Sequence, residues 1–174
     1  MEVDGVRLYH DQSLYKEPGG GITPAHADQY YWPVASDRTI TAWVPLQAVP
    51  QELGPLAFFA GSQHVEFGRD IMISDESERA ITANMQAHGF PVVDEPFALG
   101  EVSFHSGWTF HRAGPNRSTR PRSVMTVIYM DRDMRLKAPD NDWQKADWER
   151  WCPGARVDEV IDTPINPVLY ERAT

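Results

Sequence analysis

The sequence predicts an all-β sandwich or barrel with little helix, and three observations lead there. Short runs alternate in hydropathy and are rich in β-branched residues. Turn-forming residues recur roughly every ten positions, with 14 Pro and 12 Gly in the chain. Only one mid-chain stretch has strong helical character.

Taken in order, Gly5 to Tyr15 reads as a strand and Glu17 to Gly21 as a flexible loop. Thr39 to Leu46 alternates, and its β-branched content predicts a strand. Leu56 to Ala60 is a short apolar run closed by Gly61. From Ser74 to Ala87 acidic residues come early and breakers are few, which predicts a helix capped by Ser74 or Asp75. Gly100 to His105 and Arg122 to Met130 read as strands, the second being the clearest in the chain. Gly114 to Ser118 lies between them and carries strong turn chemistry, so the two are expected to pair as a hairpin. In the stretch Asp140 to Trp151, Trp143, Ala146 or Asp147, and Trp151 recur near helical spacing. The Pro-rich end, Thr163 to Tyr170, is expected to lie extended over the domain.

The chain has 174 residues, 41% apolar and 24% charged, which predicts one domain over residues 1–174 with a real hydrophobic core. Its net charge of −9 repels phosphate backbones and argues against a nucleic-acid partner. No apolar run approaches the ~20 residues that cross a bilayer. The segment from Met1 to Gln12 lacks the basic and apolar regions of a signal peptide, so a cytoplasmic protein without a membrane partner is expected. Cys152 is the only cysteine, so any bound metal must be held by His and carboxylate.

Six histidines are available: His10, His26, His64, His88, His105 and His111. His26-Ala27-Asp28 stands out among them. In an extended chain residues i and i+2 point to the same side, so one imidazole and one carboxylate can chelate a single cation. A third ligand from a distant strand would complete the two-His-one-carboxylate set that occupies one face of an Fe(II) ion. The segment Phe104 to Ser118 offers two candidates, His105 and His111. Three positions then stay open, two for a bidentate 2-oxo acid and one for dioxygen. The far carboxylate of such a cosubstrate calls for a cation, which Arg supplies best through its planar fork.

The series LYHDQSLYKEPGGGITPAHAD, TAWVPL, GPLAFFAGSQH, GEVSFHSGWTFHRAGPNRS and RPRSVMTVIYM resembles the phytanoyl-CoA dioxygenase family of 2-oxoglutarate-dependent oxygenases, from about Val6 to Tyr170. The resemblance implies a double-stranded β-helix (jelly-roll, cupin-like) with a few flanking helices, and Fe(II) with 2-oxoglutarate as cofactors. It implies His26, Asp28 and His111 as metal ligands. Arg122, standing eleven residues after His111, would hold the far carboxylate of 2-oxoglutarate. It further points to Trp43, Gln12 and Lys16 beside the cosubstrate, to His105 in a supporting or packing role, and to a structural role for His64. Asp28 occupies the position where related halogenases have a small residue, so hydroxylation of a small-molecule substrate by dioxygen is the expected reaction.

The chain departs from the family pattern at Ala27, at Ala60 and Gln63 of AGSQH, and at Ala113, without losing a ligand. It is short for the family, so the amino-terminal part of the family fold is expected to be missing. Sheet edges left exposed in that way would favour a homodimer. Tyr30, Tyr31, Trp32 and Trp108 are expected along the substrate pocket, with Arg112, Arg117 and Arg120 near its mouth. Two other classes stay open: a different cupin-like metalloenzyme, such as an isomerase or hydrolase, and an inactive truncated member acting as a binding module.

Overall fold

The computed structural model describes residues 1–173. Its strands are β1 (Gly5–Lys16), β2 (Thr23–His26), β3 (Thr39–Pro45), β4 (Leu56–Phe59), β5 (Val92–Val93), β6 (Ser103–Ser106), β7 (His111–Ala113), β8 (Arg122–Asp131) and β9 (Val168–Glu171). Two helices accompany them, α1 (Asp75–Ala87) and α2 (Asp142–Trp151). The strands form two antiparallel sheets, one ordered β6-β3-β8-β1-β9 and the other β2-β7-β4-β5. This is the expected jelly-roll.

β8 shows why the sheets close on each other. Arg122, Val124, Thr126, Ile128 and Met130 are buried and alternate with partly exposed neighbours, so one face looks inward throughout. β1 pairs along its whole length with β8, but its alternation reverses midway. Arg7 and Tyr9 are buried before a register shift between Leu8 and His10, and His10 and Lys16 are buried after it. This bulge turns His10, Gln12, Leu14 and Lys16 toward one cavity between the sheets.

Three apolar clusters hold the layers. Trp43, Val49, Leu53, Leu56, Ala113 and Val124 join the sheets at one end. Tyr9, Trp32, Ile128, Met130, Leu136, Cys152 and Ile161 close the other, where α2 covers the opening. Ile81 and Met85 of α1 pack on Ala25, Ala27, Phe59 and Phe110. α1 begins as expected at Ser74, whose side chain accepts from the Ser77 amide while the Ser77 side chain reciprocates in a capping box.

One expected pairing is corrected. β6 and β8 do not form a hairpin; both flank β3, in register Thr41↔His105 and Thr41↔Ile128. Between them His111–Ala113 forms a strand of the opposite sheet, paired with β2 and β4. The turn at Gly114 to Ser118 does reverse the chain, but it crosses from one sheet to the other. Turn chemistry carries no information on which sheet receives the next strand, and a three-residue strand is too short to announce itself by alternation. The Pro-rich end turns at Thr163, which hydrogen-bonds Asn166 at 2.6 Å, and then adds β9 to the edge of β1.

Candidate metal and cosubstrate site

His26 and His111 are directly opposed residues on adjacent antiparallel strands, and their ring centroids lie 4.3 Å apart. Cross-strand neighbours are close enough for two such side chains to share one ion. The backbone stays extended through Ala27, so Asp28 returns to the side that His26 faces. One nitrogen of each imidazole and one oxygen of Asp28 then lie within 4.8 Å of one another.

The hydrogen bonds around these groups fix which atoms face the common point. Nδ1–H of His26 donates to the Pro24 carbonyl at 2.7 Å, and Nδ1–H of His111 donates to the Thr109 carbonyl at 3.0 Å. A carbonyl can only accept, so Nδ1 carries the proton and Nε2 presents its lone pair. Each Nε2 stands 3.6 Å from Asp28 Oδ1. The other oxygen, Oδ2, accepts from Thr41 Oγ1 at 3.1 Å and from His105 Nε2 at 3.3 Å. His105 therefore lies behind the carboxylate and turns it, as the supporting role anticipates.

Protonation states suit a cation as well. Burial would push the Asp28 carboxyl up, but the imidazoles of His111, His105 and His26 outweigh it and hold the group well below the usual carboxylate range. His111 is pushed down to about 3 by burial and by the neighbouring His26. At neutral pH Asp28 is therefore a carboxylate and His111 a neutral imidazole, the forms a metal requires.

From this point the cavity, about 780 Å³, runs between the sheets toward Arg122, a size that accommodates a drug-sized ligand. Arg122 and Lys16 are cross-strand partners at its end, and both are buried. The guanidinium donates to the Gly54 carbonyl, lies 5.5 Å from the Trp43 ring, and leaves Nε without a partner among the described residues. Gly54 can bring its carbonyl there because it has φ +69° and a Cβ would sit 2.1 Å from the Gly114 oxygen. Lys16 donates to the Gly114 carbonyl at 2.7 Å, and Trp43 Nε1 is buried without a partner among the described residues. Two buried cations with no carboxylate in contact among the described residues make this end fit a small dianion. Gln12 lies on the same wall but is exposed.

Other sequence expectations divide. Tyr31 and Trp32 line the cavity. Trp108 does not; it packs beside the α1 cluster under the Arg69 guanidinium, 4.6 Å away. Tyr30 lies against Tyr31, outside the lining. Arg112 is tied to Glu78 at 2.8 Å rather than facing a pocket mouth, while Arg117 and Arg120 are exposed. His64 is exposed and meets the Gln63 side chain; the structural role falls to buried Ser62, which accepts from the Phe110 amide at 2.9 Å.

Two contributors escaped the sequence reading. Alternation from Trp43 puts Thr41 on the same inward face, a signal that could have found it. Glu78 of α1 accepts from the Ala25 amide at 2.7 Å and from Arg112, thereby binding the two strands that carry His26 and His111. It looks like any acid in a first helical turn, so no sequence signal marks it.

The family model for phytanoyl-CoA dioxygenase matches residues 2–124. The chain belongs to that family. It is similar to a probable alpha-ketoglutarate-dependent hypophosphite dioxygenase of Stutzerimonas stutzeri, with 25% identity over 134 residues covering 75% of this chain and 47% of that protein. Among solved structures it is similar to the epimerase SnoN of nogalamycin biosynthesis, in complex with Fe3+, alpha ketoglutarate and nogalamycin RO. That match has 26% identity and a TM-score of 0.77, covering 95% of this chain and 66% of the other. The alpha-ketoglutarate-dependent carbocyclase SnoK is similar at 25% identity and a TM-score of 0.74, over 95% and 64% of the two chains. The chain spans about half the length of the curated relatives it matches. These relatives share a dependence on alpha ketoglutarate and differ in product. No helix among the described residues is long and apolar enough to cross a membrane.

Proposed function

We propose that this chain is an Fe(II)- and 2-oxoglutarate-dependent dioxygenase that hydroxylates a small organic molecule. His26, Asp28 and His111 are the metal ligands, and Arg122 with Lys16 receives the far carboxylate of the cosubstrate. When bound, iron and 2-oxoglutarate supply an activation of dioxygen coupled to oxidative decarboxylation of the cosubstrate, chemistry that no side chain here can supply.

The observation that carries this reading is the joining, in one cavity, of a two-His-one-carboxylate set with lone pairs aligned and a buried Arg–Lys pair at the far end. Thr41 and His105 hold the Asp28 carboxylate so that one oxygen stays directed at the metal. Arg122 offers its fork to a carboxylate, and its contact with the Gly54 carbonyl fixes where that fork lies. Trp43 shuts the cosubstrate end away from water, since it is 1% exposed. Retention of Asp28 fills the ligand position with carboxylate oxygen, which supports hydroxylation as the outcome.

Binding of 2-oxoglutarate, measured by calorimetry in the presence of Mn(II), tests the assignment. Arg122→Met should weaken it by at least about 100-fold, since two charge-assisted hydrogen bonds at roughly 1.5–3 kcal/mol each are lost. The melting temperature should stay level or rise, because a buried cation is removed. Binding that ignores Arg122, or that needs no metal, would refute the reading.

A further inference from the structure

Beyond the metal centre the cavity meets a wall that none of these roles uses. α2 turns Trp143, Ala146, Asp147, Arg150 and Trp151 toward it, positions that fall on one helical face. This face is held from beneath. The Tyr9 hydroxyl, aimed inward by the bulge in β1, donates to Asp147 Oδ2. Gln144 on the same helix donates to the Tyr30 carbonyl at 2.9 Å. The Trp151 indole lies flat on His10, with centroids 4.6 Å apart and planes 15° apart, and the Arg150 guanidinium sits 4.6 Å from the same indole. Trp151 is thus a fixed floor rather than a free surface.

Two groups on this wall stay available. Trp143 meets Tyr31 edge to face and is 55% exposed. Asp147 is half-buried, and its Oδ1 has no hydrogen-bond or ion-pair partner among the described residues. The two are i and i+4, so their Cβ atoms stand about 5–6 Å apart, the width of a six-membered ring with its substituent. Ala146 beside them leaves room.

We propose that this wall selects the substrate: a planar ring lies against Trp143 and a hydroxyl on that ring donates to Asp147 Oδ1. The inference rests on the cavity being the substrate site of the oxygenase described above. Covering Asp147 with a ring that lacks a donor would leave a buried carboxylate oxygen unpaired, and such a site rejects the analogue without the hydroxyl. Burial pushes Asp147 up to about 6, which leaves it a carboxylate, and so an acceptor, at neutral pH. Arg150, one turn along, disfavours an ammonium at the same place.

The test compares 2-naphthol with naphthalene by equilibrium dialysis against metal-free protein at neutral pH. Wild type should hold 2-naphthol at least tenfold more tightly, and Trp143→Ala should weaken both probes. Asp147→Ala should abolish the difference. Because that change also frees Tyr9, Asp147→Asn is measured beside it. The amide oxygen can keep the tyrosine contact while the NH2 faces the cavity, where it can offer the naphthol oxygen only a neutral, weaker hydrogen bond, so the preference for 2-naphthol should shrink there. Failure of wild type to bind or to discriminate, or discrimination that survives in both Asp147 variants, overturns the proposal. Neither probe needs metal or 2-oxoglutarate, so this failure and a failure of the oxygenase reading would be seen separately.

Discussion

Asp28 uses its two oxygens for different ends. Oδ1 faces two imidazole lone pairs, while Oδ2 is tied to Thr41 and His105. Thr41→Val keeps the volume and removes one tie, so the carboxylate can rotate. Outer hydrogen bonds of this kind are worth about 10–100-fold in metal affinity or activity. We expect a loss within that range in Fe(II) affinity, read by metal titration, with little change in melting temperature; an unchanged affinity would deny Thr41 that role. Lys16 makes a second residue-level prediction. Burial and the Arg122 guanidinium push it down from 10.5 to about 8. An arriving dianion favours the charged form and pushes it back up. Below about pH 8 the lysine already carries its proton, so affinity for 2-oxoglutarate should be flat there. Above that point binding must take up a proton, and affinity should fall by up to about tenfold per pH unit. Calorimetry across this range should show the decline in wild type and its absence in Lys16→Met. The sequence made the candidate ligands legible, and the structure brings them together, because metal-binding chemistry is confined to a few residue types. Thr41 was less legible, since a threonine in a strand is ordinary.

At the scale of elements, two features position the site, and neither is visible in a hydropathy pattern. The bulge at Tyr9 buries two consecutive residues, so that Tyr9 grips α2 while His10 faces the cavity. Sequence alternation predicted the strand but not the reversal within it. The second feature is α1, which was legible from its cap and composition; its purpose was not. Glu78 reaches from it to the Ala25 amide and to Arg112, joining β2 to β7. Glu78→Ala leaves a buried amide without an acceptor, which should cost about 1–3 kcal/mol of stability by denaturant unfolding. Because His26 and His111 ride on those two strands, metal affinity should drop roughly tenfold as well. A loss of stability with no loss of metal affinity would show that the helix only supports the fold.

For the whole molecule, the jelly-roll follows from many short strands whose inner faces must be covered, and that much was readable from turn spacing and alternation. What failed was the pairing of β6 with β8. Jelly-roll connections cross between sheets, and strands such as His111–Ala113 are set by their neighbours rather than by their own residues. The same crossing brings His111 opposite His26, so the feature hardest to read in the sequence is the one that assembles the site. The most direct test is the oxygen-dependent conversion of 2-oxoglutarate to succinate by purified protein supplied with Fe(II). Wild type should form succinate only when iron and dioxygen are both present, and His111→Ala should reduce the rate by more than about 100-fold, beyond the cost of losing an outer contact. Equal rates in the two proteins, or no succinate from wild type, would contradict the account.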